Sequence, residues 1–490
     1  MSALNNTYAV IDLGSNSFHM MVVDNVAGAP RVISKVKRKV RLASGLDENN
    51  VLSLEAMERG WECLAWFGEH LSQLNIDNVK VVATATLRLA TNAEKFCEYG
   101  SQLLGKAINI ISGEEEAALI YHGMAVTSNG CGKRLIIDIG GASTELILGS
   151  GVTPIVLNSL NMGCVTWLER YFSNKLLSQE NFSAAVAAAK KTLSPVKHDY
   201  LAHQWQLTLG ASGSVQAVQE VLVAQGLNEE ITLDKLYQLQ AQCIACMNQD
   251  RLLLDGLKVE RRVVFVSGLC ILIALFEELS IKSMLSSGGA LREGVIHQLS
   301  QESLSDDICL KTCTSLAQRF QLNTLQAKNV AQLAVQLANN ISIDESLIPM
   351  LNYAGLIHEL GVSIEYAQAP LHARYLLSNM PLAGFSKQQT LLLIALVGNF
   401  KGDIAQHLLS DQGCCDLKSA QEMLICLRLA VICAGRYQGA RCQSIKLQRT
   451  DNDFTLDIPS SVAKQSPLMM VQLDEESELN PLFLIGHPFH

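Results

Sequence analysis

Apolar and polar positions near the start of the chain fall into strand, tight turn and strand. Tyr8-Ala9-Val10-Ile11 is followed by the polar Asp12-Leu13-Gly14-Ser15-Asn16-Ser17, and then by the apolar-rich Phe18 to Val23. The same order returns later. Leu135-Ile136-Ile137 leads into Asp138-Ile139-Gly140-Gly141-Ala142-Ser143-Thr144-Glu145, and Leu146-Ile147-Leu148 closes it, so Asp138 matches Asp12, Gly140 matches Gly14 and Ser143 matches Ser17. A duplicated domain is the economical explanation. Each half continues in alternating periods of 3.6 and 2. Helices are expected over Glu55–Leu74, Ala93–Leu104, Glu114–Met124, Thr166–Tyr171 and Asn181–Leu193, and strands over Val79–Ala83, Ile108–Ile111, Gln206–Leu209 and Ser283–Leu285. That is an α/β layout.

From Ser305 to Tyr437 the texture changes to long helical patterns, such as Leu325–Leu337 and Gln421–Ala434. The tail alternates in Ser444–Gln448 and again in Phe454–Ile458, which reads as a small sheet. The expected division is therefore 1–124, 125–303, 304–437 and 438–490: two related α/β lobes, an all-α domain and a small C-terminal domain containing β structure.

Composition narrows the function class. At 490 residues, with 49% apolar and 17% charged residues, the chain has material for several buried cores and too little charge to be disordered. Lys plus Arg is 38 and Asp plus Glu is 47, so the net charge is −9, which argues against a general nucleic-acid binder. Val263 to Phe276 is interrupted by Ser267 and Gly268, so it reads as a buried core segment and not a membrane span. Met1–Asn6 lacks the basic start and long apolar run of a secretory signal, so a cytoplasmic protein is expected. The 14 cysteines are scattered as reduced core cysteines are, and Cys243-x-x-Cys246 has no second ligand pair at finger spacing.

The paired turns carry the chemistry. Gly and small hydroxyl residues let backbone N–H groups approach an anion, and an Asp closing the first strand can hold a divalent cation nearby. One Asp-x-Gly turn is also an ordinary hairpin; two in register point to a pair of phosphate loops. Gly14, Ser15, Asn16, Gly140, Gly141 and Ser143 are then candidate phosphate-binding residues, and Asp12, Asp138 and Glu145 candidate Mg²⁺ carboxylates. Gly210-Ala211-Ser212-Gly213-Ser214 and Ser286–Ala290 lie at expected strand-to-helix junctions, where they hold further phosphate, through Gly213 and Ser214 in the first case, or are simply tight turns. Lys35, Lys37, Lys39 and Arg41 alternate, so in a strand they form a cationic stripe with Arg38 opposite, suited either to drawing in a polyanion or to a solvated edge.

Ile11–His19, Thr84-Ala85-Thr86-Leu87-Arg88, Ile111–Ala117, Asp138–Glu145 and Gly210–Gly213 closely resemble, in the same order, the motifs of the exopolyphosphatase and guanosine pentaphosphate phosphohydrolase (Ppx/GppA) family. The resemblance implies duplicated RNase H-like domains of the actin and sugar kinase superfamily, gripping a phosphorylated ligand in the cleft between them. It places the catalytic base at Glu116, although Glu114 and Glu115 share the first helical turn and any of the three could serve only the helix dipole. Arg88 offers a fork of donors suited to phosphate oxygens. Leu356-Ile357-His358-Glu359-Leu360-Gly361, with His372 downstream, is similar to the core of an HD-type domain, but Glu359 replaces the Asp, so a structural or substrate-channel role is expected.

The implied activity is Mg²⁺-dependent removal of the terminal 5′-phosphate of guanosine 5′-triphosphate 3′-diphosphate (pppGpp), leaving ppGpp and phosphate in stringent-response metabolism. Glu114, Ala85 and Ala142 look more like the pentaphosphate branch. The alternative or second substrate is inorganic polyphosphate, shortened from its end. A phosphotransferase and a non-catalytic nucleotide switch are the rival classes. The resemblance also implies a homodimer.

Overall fold

The structure, a computed structural model, describes residues 7–26, 29–74, 76, 78–127, 132–300, 307–434, 444–449 and 453–479. It separates into two compact units that divide between Asp306 and Asp307, apart from a short excursion near residue 26.

The first unit contains two five-stranded sheets. β1 (Thr7–Leu13), β2 (Ser17–Val26) and β3 (Ala29–Lys39) are followed by α1 (Leu54–Leu74), β4 (Asn78–Ala83), α2 (Ala85–Leu89), α3 (Ala93–Leu104), β5 (Ile108–Ile110) and α4 (Gly113–Thr127). The second lobe repeats the plan with β6 (Lys133–Ile139), β7 (Thr144–Ser150), β8 (Thr153–Leu160), α5 (Cys164–Tyr171), α6 (Gln179–Leu193), α7 (Lys197–Leu201), β9 (Leu207–Gly210), α8 (Gly213–Ala224), α9 (Leu233–Ala245), α10 (Arg262–Leu279), β10 (Leu285–Ser286) and α11 (Leu291–Leu299). The sheet orders are β3-β2-β1-β4-β5 and β8-β7-β6-β9-β10, so the expected duplication holds at the level of topology. In each, a hairpin opens the sheet and the last two strands run parallel to the first.

Strand parity explains the layers. Ala9, Ile11 and Leu13 pack with α1 and α3 in one core, whereas Val10, Met21, Val23 and Val82 turn the other way. In the second sheet Leu135, Ile137 and Ile139 join the core with α5, α6 and α10, while Ile136, Ile147 and Leu209 face back. The inward residues of both sheets meet in a shared core with α4 and α11. Side chains alternate along a strand, so Asp12, two residues beyond Val10, and Asp138, two beyond Ile136, lie on these inward faces.

Local signals set the ends of several helices. Ser178 accepts a hydrogen bond from Asn181 N at α6, and Ser212 accepts one from Val215 N at α8. α4 begins one residue before the expected start and runs unbroken to Thr127, past the expected division at 124/125. β10 begins at Leu285, because Met284 pairs its backbone with Ile231 instead. The strand expected to carry Arg41 ends at Lys39. Arg41 has left-handed backbone (φ 52°) and opens a short 3₁₀ turn at Leu42–Gly45, so it leaves the cationic stripe. The Val263–Phe276 stretch lies within α10, where Val264 to Phe276 are all buried.

The second unit holds α12 (Ile308–Arg319), α13 (Thr324–Asn340), α14 (Ile348–Ile357), α15 (Ala369–Asn379), α16 (Lys387–Val397), α17 (Gln406–Ser410) and α18 (Leu417–Cys433). β11 (Lys446–Arg449) and β12 (Phe454–Asp457) then form the hairpin expected in the tail, followed by α19 (Ser460–Gln465) and α20 (Pro467–Leu479). Leu447, Leu456, Val462 and Leu473 are buried in the same core as α13 and α18, so hairpin and helices form one hydrophobic body. The divisions expected at 303/304 and 437/438 fall outside the described residues. No helix among the described residues is long and apolar enough to cross a membrane.

Candidate active site

The two hairpins pair residue for residue. Leu13 lies opposite Phe18 and Ile139 opposite Thr144, which sets Asp12 across from His19 and Asp138 across from Glu145. Glu145 thus occupies in the second hairpin the place His19 occupies in the first. Both turns are tight: in the second, Gly140 N donates to Ser143 O at 2.9 Å. The turns also touch, since a Cβ on Gly141 would stand 2.7 Å from Ser15 Cβ. Gly14, Ser15, Asn16, Gly140, Gly141 and Ser143 are therefore brought to one place. Ser15 and Ser143 are buried.

α4 starts beside these turns. Of its three leading carboxylates, Glu114 and Glu115 face outward and Glu116 is 6% exposed. Arg88 of α2 donates through Nη1 to Glu116 Oε2 at 2.9 Å and to Ile111 O at 3.0 Å. Burial raises the Glu116 carboxyl well above its ordinary range, the Glu145 and Asp12 charges raise it further, and Arg88 pulls it back. Burial, then Glu145 and Asp12, push Asp138 up to about 7, and burial pushes Asp12 up to about 6 against the pull of Arg292. Burial also raises Glu145, which accepts hydrogen bonds from the Ser143 and Ser159 hydroxyls. Four carboxylates, Asp12, Glu116, Asp138 and Glu145, thus share one electrostatic neighbourhood with Arg88 and Arg292. Among the described residues no three His, Cys, Asp or Glu side chains form a closed metal cage. Mg²⁺ at phosphate sites uses one or two carboxylates with water and phosphate oxygens, so the buried oxygen donors of Asp12, Asp138 and Glu145 beside the turns fit that ion.

Several residues enter the site without having been singled out. Arg292, at the start of α11, donates through Nη1 to His19 Nδ1 at 2.7 Å, which fixes that nitrogen as the acceptor. Arg292 follows the Gly288-Gly289 turn, so that turn positions an arginine. Arg261 lies over Gly213, its Nη2 2.0 Å from where a Cβ would stand, so an anion near the third turn meets a guanidinium. Nothing local marks Arg261, one of two arginines before an apolar helix. Ser214 turns away toward the Cys164 thiol and Gly268 of α10, and Ser212 serves as the helix cap.

Ser159 of β8 donates to Glu145 Oε1 at 2.7 Å and accepts from Arg88 Nη2 at 3.5 Å. Its Cβ sits 2.5 Å from where a side chain on Gly113 would begin. Only strand register places it there, opposite Glu145.

The stripe on β3 faces the same region. Lys35, Lys37, Arg261 and Arg292 all act on His19, whose pKa burial and these cations lower to about 3. Burial, Arg261 and Arg292 also lower Lys37. Arg38 points the opposite way, over the Trp66 ring.

In the second unit His358 is buried at the end of α14. Its Nδ1 lies 2.7 Å from Gly355 O and its ring stands edge-on to Phe400, the environment of a packed core histidine. In α9 Cys243 is buried, with its thiol pushed up to about 12 by burial.

The comparisons with known proteins agree with this arrangement. The Ppx/GppA phosphatase family model matches residues 21–303, and the model of Ppx/GppA phosphatase domain III matches residues 308–477. A guanosine-5′-triphosphate,3′-diphosphate pyrophosphatase of Aliivibrio fischeri (strain ATCC 700601 / ES114) is 45% identical over 485 residues, covering 97% of this chain and 96% of that protein. Among solved structures, an exopolyphosphatase from Cytophaga hutchinsonii superposes with a TM-score of 0.55 at 21% identity, covering 61% of this chain and 99% of its own. The Ppx/GppA family member of Aquifex aeolicus gives a TM-score of 0.50 at 22% identity over 61% of this chain and 99% of its own. These two likenesses speak for the fold. With paired turns, an inward glutamate on α4 and near full-length similarity all in agreement, the chain belongs to the Ppx/GppA phosphatase family.

Proposed function

We propose that this protein hydrolyses the terminal 5′-phosphate of pppGpp, giving ppGpp and orthophosphate. The observation that carries the proposal is Glu116: a buried carboxylate held by Arg88 beside the two turns that converge from the two lobes. The name of the 45% identical relative supports the choice of nucleotide.

In this reading the 5′-triphosphate enters between the turns, where backbone N–H groups of Gly14–Asn16 and Gly141–Ser143 surround the terminal phosphoryl group. Glu116 accepts the proton of a water whose oxygen attacks the γ-phosphorus in line. The bond from that phosphorus to the β–γ bridging oxygen breaks, and the electron pair leaves with ppGpp. Arg88 holds Glu116 in place with Nη1 and presents its remaining donors to phosphate oxygens. Asp12, Asp138 and Glu145 would hold Mg²⁺, which when bound supplies positive charge against the phosphate oxygens.

Inorganic polyphosphate is the second reading. Lys35, Lys37, Arg261 and Arg292 extend positive charge beyond one terminal phosphate, as a longer polyanion would need. Purified full-length protein with Mg²⁺ tests both: phosphate release from pppGpp with no added acceptor is expected, and release from polyphosphate alone would reject the first reading. Transfer only to an added hydroxyl would make it a phosphotransferase. The cytosolic location expected from the sequence and the homodimer implied by the family resemblance belong to the same proposal, with light scattering after gel filtration as the check on the dimer.

A further inference from the structure

Ser159 stands between two charged groups that the proposed reaction needs apart. It lies on β8 directly opposite Glu145 of β7, and its Oγ donates to Glu145 Oε1 at 2.7 Å. A serine hydroxyl carries one proton, so Oγ faces Arg88 Nη2, 3.5 Å away, with lone pairs alone. Arg88 meanwhile directs Nη1 to Glu116 Oε2 and to Ile111 O. One guanidinium and two carboxylates therefore meet around a single neutral oxygen. Among the described residues, the ion pair that Arg88 makes is with Glu116 and not with Glu145, although its charge acts on Glu145 as well. Two features hold the hydroxyl in place. Register sets Ser159 opposite Glu145, and a slip of one residue would turn it to the other face of the sheet. Gly113 opens α4 with no side chain: a Cβ there would stand 3.0 Å from Ser159 Oγ and 3.8 Å from Arg88 Nη2, so glycine leaves both groups their room.

We propose that Ser159 is a positioning residue for the hydrolysis, its hydroxyl a neutral spacer that keeps Arg88 on Glu116 and off Glu145. The inference rests on the reading of Glu116 as the base. A guanidinium favours two parallel bonds to one carboxylate, and Glu145 offers that contact just beyond the hydroxyl. Were Arg88 to take it, Glu116 would lose the bond that orients its oxygens toward water. The hydroxyl opposes this in two ways: it gives Glu145 a donor of its own, and it presents Arg88 with an uncharged acceptor that competes weakly with Glu116. Ser159 itself exchanges no proton and touches neither the attacking water nor the phosphate; it acts through Arg88.

The test is steady-state phosphate release from pppGpp by full-length protein: the wild type, Ser159→Ala, Ser159→Cys, Arg88→Met and the double variant of Ser159→Ala with Arg88→Met, with Glu116→Gln as the control on the base. Ser159→Ala should lower kcat about tenfold, the scale of one charge-assisted hydrogen bond, and leave KM within about twofold. In the Arg88→Met background the same substitution should lower kcat by less than about twofold, because no guanidinium is left to be drawn across. Ser159→Cys keeps a weak donor at the same place, so its kcat should fall between those of the wild type and Ser159→Ala, and it carries the test if the alanine variant does not fold. An equal loss of kcat in both backgrounds, or a rise in KM in place of the loss of kcat, overturns the spacer role; when Glu116→Gln is impaired as expected, it overturns that role alone. Glu116→Gln as active as the wild type overturns the spacer together with the reading on which it rests.

Discussion

Arg88 Nη1 lies 2.9 Å from Glu116 Oε2, joining α2 to the first turn of α4 in a pair that is largely withdrawn from water. The arginine is the partner that opposes burial and the Glu145 and Asp12 charges at this carboxyl. Glu116→Gln keeps the shape and removes the basic oxygen. Turnover should fall by about 10²- to 10⁴-fold, the usual contribution of general base catalysis, with binding of pppGpp preserved. Arg88→Met should also lower the thermal midpoint, since it leaves a buried acceptor unsatisfied at a cost of about 1–3 kcal/mol. Full activity in Glu116→Gln would remove this residue from the chemistry.

Gly113 and Ser159 set the distance between α4 and β8. A methyl group on Gly113 would stand 2.5 Å from Ser159 Cβ, so Gly113→Ala must displace the start of the helix that carries Glu116. Overpacking of this kind costs about 1–3 kcal/mol, and kcat should fall with it. Ser159→Ala retains the Cβ and should give no relief; Ser159→Gly should restore part of the stability of Gly113→Ala. Additive losses in the double variant, measured by thermal melts, would contradict the contact.

His19 stays neutral far below its ordinary value of 6.5, with its pKa lowered to about 3 by burial and by Arg292, Lys37, Arg261 and Lys35. Below pH 6.5 the unfolded chain takes up a proton that the folded chain refuses until about pH 3, so stability is lost as pH falls through that window. The slope from this one group is about 1.4 kcal/mol per pH unit. His19→Asn, which can still offer an oxygen to Arg292, should flatten the decline of thermal midpoint between pH 6.5 and pH 4. Parallel pH profiles for the two proteins would show that His19 titrates normally.

In the second unit Arg428 Nε and Nη2 donate to the two Glu476 oxygens, both at 2.6 Å, and Nη1 donates to Asn399 O at 2.7 Å. Both side chains are buried, so α20 is pinned to α18 by a desolvated bidentate pair. Arg428→Met should destabilise this unit by about 3–5 kcal/mol, because the stranded carboxylate costs more than the pair gains. Arg428→Met combined with Glu476→Leu should recover part of that loss. Protease sensitivity of α20 would report it, and a double variant no more resistant than Arg428→Met would speak against the pair.

The amino-acid sequence by itself determined the repeated hairpins, the helices Leu54–Leu74 and Ala93–Leu104 to within a residue, and the identity of the turns, because turn chemistry and the periods 2 and 3.6 are local properties; the short helix Ala85–Leu89, which carries Arg88, reads in the sequence as a strand-like turn. Parity along a strand sets Asp12 on the side of Val10 and Asp138 on the side of Ile136, but both faces of β1 and β6 are apolar and buried, so tertiary packing decided which face is shared between the lobes. The sequence did not foresee that Arg41 would leave its strand, a single left-handed residue with no distinct sequence mark. Which of Glu114, Glu115 and Glu116 turns inward was decided by the tertiary structure, as were the places of Arg261, Arg292 and Ser159. Each of those depends on packing between segments far apart in the chain, such as the 273 residues between His19 and Arg292, and one sequence carries no local record of such contacts.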